Sequence, residues 1–199
     1  MPKQNPTQNR SEHQIRSQAS KFTTRTLETG EPIIEGYFAV FNSDYPIWDG
    51  AVEQVAPGAF SETLGGDIRA LCDHDTRIVL GRTAAGTLTL TEDERGLYGV
   101  IKINPADTEA MNLYARVQRG DVSQCSFGFD ITQEDYIVNP DGSELWLIRK
   151  VVLYEVSVVT FPAYEETSVS ARADTPARRE RRLDAWKQKM KERISKCSK

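Results

Sequence analysis

The chain has 199 residues, 39% hydrophobic and 27% charged with a net charge of −4, values that suit one globular domain with tails and argue against several domains. No apolar run approaches the ~18 residues of a membrane span, and the polar N-terminus lacks the apolar stretch of a secretory signal, so an intracellular, cytoplasmic location is expected. Three cysteines, Cys72, Cys125 and Cys197, are odd in number and unpaired in spacing, which argues against a disulfide framework.

Residues 1–24 are rich in Gln, Asn, Ser and Thr, with too few apolar side chains to offset the entropy of ordering, and read as a flexible polar arm. From Pro32 the run PIIEGYFAVFN, β-branched and aromatic with Gly36 inside, predicts a first strand carrying a bend or bulge. The segment APGAFSETLGG (56–66) reads as a short helix, opened by Pro57 and stopped by Gly65. IRALCDHD follows as a strand running into a turn. The stretch IVLGRTAAGTLTLTEDERGLYGVIKI predicts three short strands in an antiparallel meander, parted by TAAG and EDERG.

A helix is expected over 105–119, capped by Asn104, opened by Pro105 and ended by Gly120. Its buried stripe would be Ala110, Tyr114 and Val117. VSQCSFGFDIT then reads as a strand, NPDGSE as a hairpin tip, and LWLIRKVVLYEVSVVTF as two strand segments of one sheet. Residues 172–199 hold 11 basic and 4 acidic side chains, a net of +7, which leaves −11 on the rest. In this tail Leu183, Trp186, Met190 and Ile194 form one apolar stripe on a helix-prone, basic segment. Such a tail can bind the acidic body or an acidic partner; nucleic acid is not expected from so small a signal. The organisation is thus an arm (1–24), a body (25–171) and a tail (172–199). The body is mainly β with two or three helices, an α+β fold expected to form a closed or nearly closed antiparallel β-barrel flanked by helices.

Three residues in the body can carry chemistry, and each also has an ordinary reading. His13 lies in the arm, where nothing fixes its ring. His74, between Asp73 and Asp75 at the end of a strand, is either a surface turn histidine or a base. In CSFGF, strand alternation sends Cys125, Phe127 and Phe129 to the core and turns Ser126 and Gly128 toward a groove. A serine there is structural or nucleophilic. Glu155 interrupts an apolar run, where a carboxylate is costly unless it is paired or sits at an edge facing water.

PGAF (57–60), DHD (73–75), LGR (80–82), CSFGF (125–129) and EVSVVTFPAY (155–164) occur in this order. Together they resemble the tailed-phage (caudovirus) prohead serine protease family, itself similar in fold to the herpesvirus assemblins. The resemblance spans about 36–167. It implies a serine endopeptidase with Ser126 as nucleophile and His74 as base, and it places the third, acidic member on Glu155. It also implies a β-barrel ringed by helices, and action in the host cytoplasm inside an assembling prohead. The implied partners are the major capsid protein or its scaffolding segment, other prohead components and the chain itself; a homo-oligomer is compatible with it, and the tail would help package the protease. The mechanism asks for no cofactor and no metal. For the oxyanion, backbone N–H groups near Ser126 or Gly128, Arg149 and Arg172 are all open. Other readings are a cysteine peptidase using Cys125, a zinc site from Cys72, His74 and Cys125 lacking a clear fourth ligand, and a non-enzymatic capsid assembly or scaffold module.

Overall fold

Burial alternates with a period of two in parts of the described strands and is most regular in Ala51–Val55, where Ala51, Glu53 and Val55 turn inward. A computed structural model describes residues 14–19, 22–28 and 30–161, and in them eleven strands and one α-helix. The first five strands are β1 (Gln14–Ala19), β2 (Thr23–Thr26), β3 (Pro32–Val40), β4 (Tyr45–Trp48) and β5 (Ala51–Val55). β6 (Arg69–Cys72) and β7 (Asp75–Arg82) form a hairpin, and β8 (Leu88–Glu92) and β9 (Gly96–Lys102) form another. After helix α1 (Thr108–Arg119) come the two long strands β10 (Gln124–Val138) and β11 (Glu144–Val159).

The larger sheet runs β1–β10–β11–β5–β4, and β6 with β7 joins it along the far half of β11. This branching follows from the length of β11. Its first part, Glu144–Ile148, pairs in parallel with β5, and Glu155–Val158 pairs in parallel with β6. The smaller sheet runs β2–β3–β9–β8. Neither sheet closes on itself among the described residues, so the expected closed or nearly closed antiparallel barrel is corrected to two open sheets, the larger of which includes parallel pairs. The reason is visible at the seam: β7 pairs with β6 and β8 with β9, with no ladder between β7 and β8. The expected three-stranded meander is therefore split between the sheets. The crossing is a single 3₁₀ turn, Thr83–Ala85, ended by Gly86 in the left-handed conformation.

The core lies between the sheets. It takes Ile34, Phe38, Leu97 and Ile101 from the smaller one and Phe127, Phe129, Val156 and Val158 from the larger. Each such side chain, removed from water, contributes roughly 1.5–3 kcal/mol. Gly99 permits the close packing of β9 on Phe38, because a Cβ there would stand 2.5 Å from that ring. Bulges at Gly128/Phe129 and between Ile131 and Glu134 bend the β10–β11 hairpin.

Three local expectations change. Residues 56–66 form consecutive turns rather than a helix. Gly58 adopts φ +87°, which no helix continues through, while Ala59 and Phe60 are buried. The helix cap moves from Asn104 to Asp107, whose side chain accepts from the N–H groups of Glu109 and Ala110; Gly120 ends α1 as expected, and Leu113 joins the buried stripe. Part of the segment read as a flexible arm is strand. Backbone pairing along β10 orders β1 although its side chains are mostly polar, and β2 pairs with β3. His13, Arg172, Cys197 and the basic tail lie outside the described residues. No described helix is long and apolar enough to cross a membrane.

Candidate active site

The turn between β6 and β7 consists of two residues, Asp73 and His74, closed by the pair Cys72 and Asp75. Both have positive φ, 49° and 61°, the signature of a type I′ hairpin. This conformation is uncommon for a residue other than glycine and costs free energy, so it persists only where the surroundings impose it. Here they do. The N–H of Asp73 donates to Val158 O at 3.0 Å, and its carboxylate accepts from Thr160 N at 2.7 Å and Thr160 Oγ1 at 3.0 Å. The turn is thereby fastened to the end of β11, and His74 is carried over that strand.

Glu155 and Ser157, two residues apart on β11, face the imidazole. His74 Nδ1–H donates to Glu155 Oε1 at 2.7 Å. The Ser157 hydroxyl donates to Glu155 Oε2 at 2.6 Å and lies 3.4 Å from Nδ1. Both carboxylate oxygens thus have donors, which explains how a glutamate only 7% exposed is tolerated in an apolar run. A carboxylate partner selects the tautomer with its proton on Nδ1 and leaves the lone pair on Nε2. Nε2 is buried and has no hydrogen-bond partner among the described residues.

Ser126 stands on the next strand, directly opposite Ser157, with Gly128 opposite Glu155. Side chains so paired have Cβ atoms about 4.5–5.5 Å apart. Alternation is as expected: Cys125, Phe127 and Phe129 enter the core and Ser126 takes the other face. The groove expected there is filled. β1 lies against β10 with Ser17 opposite Ser126, and Ser126 is 0% exposed. Ser17 Oγ donates to Ser126 Oγ at 3.0 Å, and Ser126 Oγ donates to the backbone oxygen of Arg16 at 2.9 Å. The structure therefore brings His74 and Glu155 into contact and sets Ser126 one strand away, with its hydroxyl engaged by β1 and not by the imidazole.

The remaining candidates are occupied elsewhere. Asp73 holds the turn. Asp75 binds Arg77, whose guanidinium and backbone N–H hold its carboxyl down to about 2. Burial, reinforced by Asp73, pushes the Cys72 thiol up to about 11, which makes it a poor nucleophile. Cys125 Sγ is buried 3.3 Å from Phe38 O, on the face opposite Ser126. Arg149 pairs with Asp135 at 2.7 Å on the half of the β10–β11 hairpin nearer its tip, away from His74. An open cleft of about 720 Å³, lined by Asp44, Pro46, Gly50 and Asn139 among others, includes none of His74, Ser126 and Glu155. Sequence reasoning missed Ser157, the serine of β1 and the buried pair Arg16–Glu53. For Glu53 a signal existed, since it occupies an inward position of an alternating strand.

Comparison with known proteins agrees with this architecture. The model of the caudovirus prohead serine protease family matches residues 20–182. The prohead protease of Enterobacteria phage HK97 is 34% identical over 143 residues, which span 70% of this chain and 59% of that protein. The solved capsid assembly protease of bacteriophage T4 superposes with a TM-score of 0.50 at 11% identity, covering 74% of this chain and 96% of that one. The last likeness concerns the fold alone.

Proposed function

The chain belongs to the caudovirus prohead serine protease family, and from that premise we propose that it is a serine endopeptidase with Ser126 as nucleophile, His74 as base and Glu155 as the orienting acid. Its substrates are the scaffolding segment of a capsid protein, other prohead components and the chain itself, cleaved inside an assembling prohead in the host cytoplasm. One observation carries the reading. An imidazole held by a buried carboxylate at 2.7 Å keeps a basic nitrogen free, beside the strand that bears Ser126.

A neutral hydroxyl is a weak nucleophile and needs a base at the moment of attack. Once the Ser126 side chain leaves Arg16 O and turns toward β11, His74 Nε2 takes its proton as Oγ adds to the scissile carbonyl. Glu155 holds the resulting imidazolium, and Ser157 keeps the second carboxylate oxygen satisfied so that it need not reorient. The same nitrogen returns the proton to the leaving amine. Water then repeats the sequence on the acyl-enzyme.

The test is Ser126→Ala in the full chain, with circular dichroism as the control for folding. Peptide cleavage and covalent labelling by a fluorophosphonate should both vanish while the fold stays intact. A folded alanine variant that still processes substrate removes this serine from the mechanism.

A further inference from the structure

Arginine is among the residues least often buried, yet Arg16, in a segment of glutamines and serines, is only 3% exposed. Its place in the strand explains where it goes. Arg16 pairs with Phe127 and Ser17 with Ser126, so the two β1 side chains leave on opposite faces. That of Ser17 reaches the nucleophile's hydroxyl, and that of Arg16 enters between the sheets. There Nε donates to Glu53 Oε1 at 2.5 Å and Nη2 to Glu53 Oε2 at 3.1 Å, a two-pronged grip on a carboxylate that is itself 1% exposed. Nη1 donates to Ile15 O and Nη2 also to Gln14 Oε1. The rings of Tyr45 and Phe129 flank the guanidinium, with centroids 5.5 and 5.7 Å from Cζ. Strands β4, β5 and β10 thus build a pocket for a cation whose own chain runs past Ser126.

The backbone of the same residue completes the picture. Ser126 Oγ touches the carbonyl oxygen of Arg16, so the Arg16–Ser17 peptide lies at the nucleophile with arginine on its acyl side. An extended segment added antiparallel to a sheet edge is a common way to bind a peptide.

We propose that β1 occupies the position of the strand to be cleaved, and that Glu53, flanked by Tyr45 and Phe129, is the subsite that selects a basic side chain immediately before the scissile bond. This rests on the peptidase reading above. In this register Ser126 Oγ bonds to the carbonyl carbon of the basic residue and its proton goes to His74 Nε2. The C–N bond breaks, and the amine departs with that proton. Water, deprotonated by the same nitrogen, hydrolyses the ester to release a carboxylate and restore Ser126. For β1 itself the products would be a fragment ending at Arg16 and a new N-terminus at Ser17. In the arrangement seen, the Ser126 hydroxyl donates to Arg16 O and not to the imidazole, so β1 is held in place as a resident competitor.

The experiment uses the full chain and quenched fluorescent peptides that differ only in carrying Arg, Lys, Gln or Leu before the cleaved bond. Products are mapped by mass spectrometry in the wild type, Glu53→Gln and Arg16→Ala. A site that hydrogen-bonds its ligand rejects analogues lacking the partner group strongly. The wild type should therefore favour Arg over Gln by tenfold or more in kcat/KM, expressed mainly in KM. Glu53→Gln should bring that ratio near one, and Arg16→Ala should cleave added peptide faster with the preference intact. If Glu53→Gln does not fold, Arg16→Ala decides alone: argininamide must inhibit it and glutaminamide must not. Ser126-dependent cleavage without basic preference, or a preference that survives Glu53→Gln, overturns the subsite and leaves the peptidase standing. No Ser126-dependent cleavage of any peptide removes both.

Discussion

A carboxamide at position 155 has the shape of the carboxylate, yet it reverses the choice of tautomer. Its NH₂ would donate to His74 Nδ1, which moves the ring proton to Nε2, where a lone pair is needed. Glu155→Gln should therefore fold and lower kcat/KM at neutral pH by about a thousandfold or more, measured on any peptide whose cleavage requires Ser126. Near-normal turnover would take Glu155 out of the mechanism. Ser157→Ala makes a milder cut, stripping one donor from a buried carboxylate oxygen. Such a loss costs about 1–3 kcal/mol of stability, read as a lower melting temperature. Activity should fall clearly less than in Glu155→Gln, and a variant with unchanged melting and turnover would show that Ser157 supports neither. These two residues also mark what a sequence reveals at this scale. Glu155 is legible because a charge in an apolar run demands a partner. Ser157 is not, because a serine in such a run fits a buried strand without further explanation.

Strand and turn chemistry decide whether the imidazole reaches its partner. The two-residue turn keeps His74 at φ 61° with Asp73 as its side-chain anchor, binding both donors of Thr160. Asp73→Ala removes those bonds and retains the left-handed backbone, for a cost on the order of 1–3 kcal/mol. For a chain of this size that corresponds to a fall of roughly 2–12 °C in melting temperature. Activity should drop further than stability alone explains, since His74 loses its anchor. Asp75→Ala is the contrast, because it breaks only bonds to Arg77, its exposed guanidinium and its backbone N–H, touches neither His74 nor β11, and should stay closer to wild type in both measurements. Equal effects from the two substitutions would contradict this account of the turn. The hairpin itself was legible as a strand running into a turn, and α1 as a helix ended by Gly120. The stretch 56–66 misled because Pro57 and Gly65 bracket it as they would a helix. What decides there is Gly58 in a left-handed conformation and Phe60 drawn into the core, a tertiary demand that local composition does not carry.

At the scale of the whole molecule the hardest feature to foresee was β1. Nothing in its composition resembles a strand, and its order comes from pairing along one edge of β10 and from a carboxylate, Glu53, contributed by a distant part of the chain. The separation into two open sheets was equally hidden, since three strands in succession read the same whether or not one of them changes sheet. The position of β1 at the end of the larger sheet, paired among the described residues with β10, has a consequence for access. Segments with one neighbour open at lower free energy than strands paired on both sides. Amide exchange should therefore be faster across 14–19 than across the paired parts of β11. Because Ser126 is 0% exposed and its hydroxyl is held by this neighbouring strand, its labelling by a fluorophosphonate should be gated by the same opening. Low concentrations of urea that speed exchange in β1, while leaving β11 protected, should raise the labelling rate in proportion. Rapid labelling of Ser126 with β1 amides still protected would show that this serine is reached by another route, and that the strand beside it is no gate.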